Sequence, residues 1–381
     1  MSYRFYHVIA ESIFPDTLRI LTRKTDATFL HSIASNNKNI LGLLDKFPNI
    51  KSKMMLDSGG YSLCGYPYKV DGINEHVLMK TMQRLKPNVV VGPDFPIEGS
   101  YECSLELTSF RTKLFHLITG DNLNSKYYDA VQGALSVEGV YSLKERAHWL
   151  TEITKISGDK IYGYALGRLI DASLLERAYF GMQSWSIGCK NAHILGVGAI
   201  EALALFVYMG HYCYDNITSD SKTYTIDAGE FLNVLLPKTF ITGPRYCNLS
   251  KEKYQEHNEK DLICNCYVCR HYKKKYSCSM YSLAQKNAEG DESAIALLRT
   301  CLIGHNICII QSYLDKLICL VSERKKYLEY LKEKNLKKAI AAISLVDQLL
   351  ADGKDNYEQN ILLLGTPPKE DSAMCDDNSN D

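Results

Sequence analysis

Between residues 26 and 240, short apolar runs alternate with longer stretches whose apolar positions recur at helical spacing. ATFLHSI (27–33), KMMLDSG (53–59), NVVVGPD (88–94), DAVQGA (129–134), KIYGYAL (160–166), AHILGVG (192–198) and YDNITSD (214–220) read as strands. The segments 143–156 and 199–209 between them read as helices. Strands buried on both faces and separated by helices make a parallel sheet. Seven of them in this span predict a (β/α)8 TIM barrel, with the eighth strand not evident and an open doubly wound sheet as the alternative. After Pro244 the pattern changes. Residues 251–280 are rich in Lys, Tyr and Cys, a helix is predicted from Ser293 to Val321, and one charged helix over 324–350. From Thr366 on there is little to bury. The expected organisation is a barrel core over 1–250, a metal-binding subdomain over 251–320, C-terminal helices over 321–354 and a disordered tail over 355–381.

Composition narrows the function classes. Lys plus Arg and Asp plus Glu each number 44, which excludes a binder that relies on overall positive charge and leaves room for a local basic groove. Arg270, Lys273, Lys274 and Lys275, interleaved with Tyr272 and Tyr276, could form one. The 324–338 stretch, with Glu323 beside it and Glu329 and Glu333 within it, reads as a solvated helix face. No run of about 18 apolar residues stands out, and MSYRFYHVIAESIF lacks a signal-peptide layout. The expectation is a cytoplasmic protein with no membrane partner. Thirteen cysteines in a reducing compartment point to buried thiols or metal ligands.

Two groups of residues carry chemistry. Cys264-x-Cys266-x2-Cys269 places three thiols within six residues, close enough to converge on one Zn2+, which takes four ligands in a structural site. His271 would strain the loop, whereas His305, on a predicted helix, can present its imidazole rigidly. The second group lies at strand ends. Asp57 runs into Ser58-Gly59-Gly60-Tyr61, Asp94 ends GPD, and Asp220 ends the seventh run. Gln132-Gly133, Gly163 and Gly196-Val197-Gly198 are read as ending others. In a (β/α)8 barrel such positions share the C-terminal face, where active sites are built. Carboxylates, an amide, an aromatic ring and glycines together suit a planar heterocycle. No Walker loop or GxGxxG is present.

DSGGY (57–61), PDFP (93–96), VQG (131–133), GYALG (163–167), LGVG (195–198), SDS (219–221) and the CxCxxC…H set occur in the order seen in tRNA-guanine transglycosylases. The chain resembles that superfamily from about residue 50 to residue 320. The resemblance implies a pentosyltransferase that exchanges guanine for a 7-deazaguanine in a nucleic acid. It implies that Asp220 is the nucleophile, forming a covalent glycosyl ester, and Asp57 the general acid/base. Asp94 would read the N1 and amino edge of guanine. Gln132 and Gly163 would bind its carbonyl side, with Ser58, Gly133 and Gly196 adjacent, while Tyr61 and Leu195 would sandwich the ring. A structural zinc on Cys264, Cys266, Cys269 and His305 belongs to the same pattern. The nucleotide must be flipped out to reach such a pocket.

Departures from the family set finer expectations. Bacterial enzymes follow the nucleophile with a PTRN-type run, whereas here Ser221-Lys222-Thr223-Tyr224 follows, and only helices and a tail come after the cysteine-rich segment. The chain is most similar to the DpdA-type DNA-guanine transglycosylases, so DNA is the expected polymer and tRNA the alternative. Arg168 stands where bacterial enzymes carry a Glu that accommodates an aminomethyl cation, which favours a neutral substituent such as that of 7-cyano-7-deazaguanine. Expected partners are nucleic acid, the free 7-deazaguanine base, and a second copy or other proteins of a modification cluster. A non-catalytic partner subunit is the remaining reading, opposed by the intact Asp57, Asp94 and Asp220.

Overall fold

The strand that the sequence pattern did not reveal is the first. Arg4–Val8 (β1) pairs in parallel with Thr28–Ser32 (β2) on one side and with Asn216–Ser221 (β8) on the other, and this closes the sheet. Between them run Met54–Asp57 (β3), Val89–Val91 (β4), Lys126–Val131 (β5), Ile161–Leu166 (β6) and Asn191–Ile194 (β7), each parallel to its neighbours. The result is an eight-stranded closed parallel barrel, the TIM architecture rather than an open sheet. This is the computed structural model of the chain, which describes residues 3–9, 15–33, 38–60, 75–95, 100–120, 124–132, 143–167, 169, 172–221, 233–235, 246–248, 255 and 259–352. Tyr61, Gly133, Arg168, the 222–224 run and the 355–381 tail lie outside the described residues.

Side chains alternate across the barrel wall. Tyr6, Leu30, Met55, Val89, Val91, Tyr128 and Ala165 point inward and fill the bore. Their neighbours, such as Phe29, Leu56, Val90, Ala192, Ile194 and Ile217, point outward onto the helices. Both faces of every strand are therefore covered, which is why the strands read as nearly unbroken apolar runs. The inward residue at a strand's C-terminal end has no further layer above it, so polar side chains occur there.

The ring of helices comprises Pro15–Lys24 (α1), the pair Lys38–Asp45 (α2) and Pro48–Lys51 (α3), Glu75–Leu85 (α4), Tyr101–Thr119 (α5), Leu143–Ser157 (α6), Leu174–Ser186 (α7) and Ile200–Tyr212 (α8). After β8 come a short antiparallel pair, Asn233–Leu235 (β9) with Tyr246–Asn248 (β10), and the helices Tyr267–Tyr276 (α9) and Met280–Ala288 (α10). Glu292–Leu320 (α11) then packs against both α8 and α1, so it takes the place of the barrel's eighth helix. It begins at Asp291, whose carboxylate accepts from the N–H groups of Ser293 and Ala294. By length and composition α11 could cross a membrane, contrary to the reading that no such stretch exists. Most of its apolar window is buried within the fold, as in the core helix of a barrel.

The single charged helix expected over 324–350 is two helices, Arg324–Glu333 (α12) and Lys337–Ala351 (α13). Asn335 lies between them with φ 56, a left-handed conformation that ends a helix and that Asn tolerates better than most residues. The break folds α13 back against α7 and α8. Arg324 then meets Asp347, which also accepts from the Tyr208 hydroxyl.

Candidate active site

Each acidic residue of the candidate site is placed by the strand before it. Asp57 is the last residue of β3 and shares inward parity with Met55. Asp94 follows β4 and is buried. Asp220 sits next to the end of β8, which is the barrel's eighth strand rather than its seventh, and is also buried. Gln132 follows β5 and donates from Nε2 to Asp94 Oδ2 at 2.8 Å. The sheet thus brings together at its C-terminal mouth residues up to 163 positions apart in sequence, the span from Asp57 to Asp220 (220 − 57).

Two glycines exist to let these groups meet. A Cβ on Gly60 would lie 1.7 Å from Asp94 Oδ1, and one on Gly167 would lie 2.2 Å from Gln132 Oε1. Gly163 is different. It pairs with Tyr128 within β6, three residues before the strand ends at Leu166, and a Cβ there would strike the Asn191 carbonyl oxygen and the Tyr128 ring at 2.7 Å. Gly163 therefore lies inside β6 rather than at its end, which is Leu166, as the KIYGYAL run itself indicates. Leu195 packs on the inward-facing cluster. Ser58 is buried beside Asp94.

The carboxyls differ in electrostatic setting. Burial pushes Asp57 up to about 7, helped by the negative charges of Asp94 and Asp220 and opposed by hydrogen bonds from Ser32 and the Gly59 backbone. Asp94 is also raised by burial, opposed by the nearby Arg111 guanidinium and by Gln132. Arg111 is held in turn. It donates from Nε to Glu75 at 2.7 Å and from a terminal nitrogen to the Asp94 backbone carbonyl at 2.8 Å. Asp220 is gripped through one oxygen, Oδ1, which accepts from the Gly196 N–H at 2.8 Å and lies 3.1 Å from His193 Nε2. Gly196 has φ 73, so its glycine identity suits the turn that aims this N–H.

His193, Glu75 and Arg111 were not among the residues singled out by sequence. His193 had one legible signal: in AHILGVG it shares inward parity with Leu195, and a histidine buried inside a barrel needs polar partners. Arg111 and Glu75 lie on different helices, and nothing local in sequence links them.

The thiols converge as expected. Cys264, Cys266, Cys269 and His305 place their ligand atoms within 4.8 Å of one another. His305 Nδ1 lies 3.4 Å from Cys269 Sγ and 3.8 Å from Cys266 Sγ. Ligands at tetrahedral angles around zinc lie about 3.6–3.8 Å apart, so the four groups fit a metal of that kind. The Cys266 and Cys269 N–H groups point at the sulfurs of Cys264 and Cys266, at 3.3 and 3.4 Å. His271 faces Asp16 instead, at 3.9 Å. Gly304 brings α11 close: a Cβ there would lie 2.6 Å from Thr17 Cγ2 and 2.9 Å from the Val268 methyls.

Beside this centre, Arg270, Lys273, Lys274 and Tyr276 are exposed on α9. Lys275 pairs with Asp16. Tyr272 is a core residue bonded to Thr17 at 2.8 Å, so it cannot serve as a surface stacking platform.

A closed parallel barrel with three carboxylates at its C-terminal mouth, and a Cys3His centre packed against its wall, defines a barrel enzyme with a metal-binding appendage. The family described as queuine tRNA-ribosyltransferase matches residues 16–289, well over half of the chain, and the chain belongs to that family. It is thereby a transglycosylase, a pentosyltransferase acting on nucleic acid. No curated protein matches it.

Proposed function

We propose that the protein exchanges guanine for a 7-deazaguanine in DNA through a glycosyl ester on Asp220. The observation that carries this reading is the convergence of Asp57, Asp94 and Asp220 at the barrel mouth, close enough that the charges of Asp94 and Asp220 act on the Asp57 carboxyl. A carboxyl pushed up to about 7 holds its proton near neutrality beside two other acidic groups, as a reversible acid/base requires. Asp57 protonates the departing guanine and recovers a proton from the incoming base. Asp94, oriented by Gln132 and Arg111, accepts from the N1–H and amino group of the base. Leu195 and Tyr61 would cover its faces, and Gln132 and Gly163 would serve its carbonyl side, with Gly133 adjacent. Zinc on Cys264, Cys266, Cys269 and His305 would fasten α9 to α11 and supplies structure rather than a reaction step, since four protein ligands leave no open position.

DNA is supported by the Ser221-Lys222-Thr223-Tyr224 run standing in place of a PTRN-type anticodon reader. The family's description favours tRNA as the second reading. A non-catalytic subunit would have no need of Asp57, Asp94 and Asp220 together. Labelled guanine, supplied with DNA or with tRNA at matched salt, distinguishes these readings. Incorporation into DNA alone is expected. Incorporation into tRNA alone would transfer the chemistry to RNA, and none into either would end the catalytic reading.

A further inference from the structure

Among the described residues, one buried histidine of the barrel interior beside Asp220 has no part in the roles above. His193, in β7, is fully buried and sits in register with Thr218 of β8. Its Nδ1 lies 2.8 Å from Thr218 Oγ1 and its Nε2 lies 3.1 Å from Asp220 Oδ1. Tyr6 and Tyr128 present ring edges to it, with centroids 5.9 and 6.5 Å away, so the imidazole has little room to turn.

The protons follow from the donors and acceptors. An ionised carboxylate only accepts, so Nε2 must carry hydrogen to bond it. In a neutral imidazole Nδ1 is then an acceptor, and Thr218 must donate to it. The other acceptor within reach of the Thr218 hydroxyl, the Ala192 carbonyl, lies at 3.4 Å, the weaker geometry. Thr218 therefore fixes the tautomer of His193, and His193 fixes Asp220. Oδ1 receives two hydrogen bonds, from His193 and from the Gly196 N–H, which engage both of its lone pairs. Oδ2 has no such partner among the described residues.

We infer that His193 is a positioning residue for the nucleophile: it holds Oδ1 of Asp220 so that Oδ2 attacks the sugar. This rests on the reading of Asp220 as the nucleophile. In the first step the Oδ2–C1′ bond forms and the glycosidic bond breaks. Guanine leaves with that bond's electron pair and takes the Asp57 proton. Oδ1 becomes the carbonyl oxygen of the ester and keeps both donors. In the second step the incoming base gives its proton to Asp57, its nitrogen bonds C1′, and the Oδ2–C1′ pair returns to the carboxylate, whose charge those donors stabilise.

The test uses the full-length protein and labelled guanine, with bulk genomic DNA and unfractionated tRNA as acceptors. His193→Phe keeps the volume and removes both hydrogen bonds; it is expected to lower kcat about tenfold or more while KM stays within about twofold. His193→Gln, which retains a donor near Nε2, is expected to recover most of that loss. A residue that only filled space would show the reverse order. Thr218→Val is expected to lower kcat about threefold by releasing the tautomer, and it decides the matter if the histidine variants do not fold. Native kcat in His193→Phe, or in Thr218→Val where the histidine variants do not fold, would overturn the inference. So would equal losses in the Phe and Gln variants. Asp220→Asn, run in parallel, separates the two claims. Native exchange in that variant removes both. An inactive Asp220→Asn beside a fully active His193→Phe removes only the role of His193.

Discussion

In the proposed reaction Asp57 combines a catalytic requirement with a thermodynamic one. Its carboxyl holds a proton up to about pH 7, against an ordinary value of 3.8. Guanine departure, which consumes that proton, should slow as pH rises through about 7, as single-turnover release of labelled guanine would show. The sign for stability follows from proton uptake. Between about 4 and about 7 the folded state binds this proton and the unfolded state does not, so stability falls as pH rises across that window. Asp57→Asn should therefore raise stability at about pH 8 by on the order of a few kcal/mol at most, read as a higher thermal midpoint, and leave the midpoint near native at about pH 4, while exchange is lost. An unchanged midpoint at the higher pH would contradict the burial of a charged carboxylate. Arg168 carries a second prediction. It stands in the sequence where bacterial relatives carry a Glu, and under the proposed function a guanidinium there would repel an aminomethyl cation. Competition assays should therefore rank the 7-cyano base above the 7-aminomethyl base, and Arg168→Glu should narrow the gap. The three aspartates were legible in sequence because each lies at or close to the end of a strand. Asp220 also has local partners, Gly196 and His193, that are visible only once β7 and β8 lie side by side.

At the scale of elements, the strands β2 to β8 were legible because burial on both faces leaves an apolar run. β1 was not, because RFYHV starts on an exposed Arg4 and includes His7, so it does not read as an apolar run. Helix periodicity continues across Asn335, so the α12–α13 break is visible only in the backbone. The CxCxxC…H set could be read from spacing, but the register that aims His305 at it depends on Gly304. Cys266→Ser should lower metal content and thermal midpoint together, since binding and local folding are one equilibrium. Gly304→Ala should do the same more mildly, at about 1–3 kcal/mol, by forcing α11 away from Thr17 and Val268. Metal analysis and thermal denaturation of the same preparations check both; full metal content in well-folded Cys266→Ser would contradict the ligand set.

For the whole molecule, zero net charge means that attraction to phosphate must be local. Among the described residues, the exposed Arg270, Lys273 and Lys274 cluster on α9 and are proposed to supply it, whereas Lys275 is tied to Asp16 and Arg324 to Asp347. Replacing Lys273 and Lys274 with Ala should reduce the slope of log affinity against log salt by up to about 2 on duplex DNA, close to one unit for each phosphate contact removed. Fluorescence anisotropy across a salt series measures it. An unchanged slope would place the nucleic acid on another face.

Barrel closure also imposes an order in time. Tyr6 of β1 pairs with Asp220 of β8, about 214 residues later in the chain (220 − 6). At a synthesis rate of roughly 5–20 residues per second, the first strand waits some ten to forty seconds for its second neighbour to be made. Its helix α1 waits longer still, until α11 has emerged to cover it. Throughout that interval β1 offers one row of backbone hydrogen-bonding groups to whatever strand comes near, including those of other nascent chains. Asp220, the proposed nucleophile, is made at the end of the strand that ends this exposure, so the half-made barrel that is most prone to aggregate is also one in which the proposed reaction centre does not yet exist.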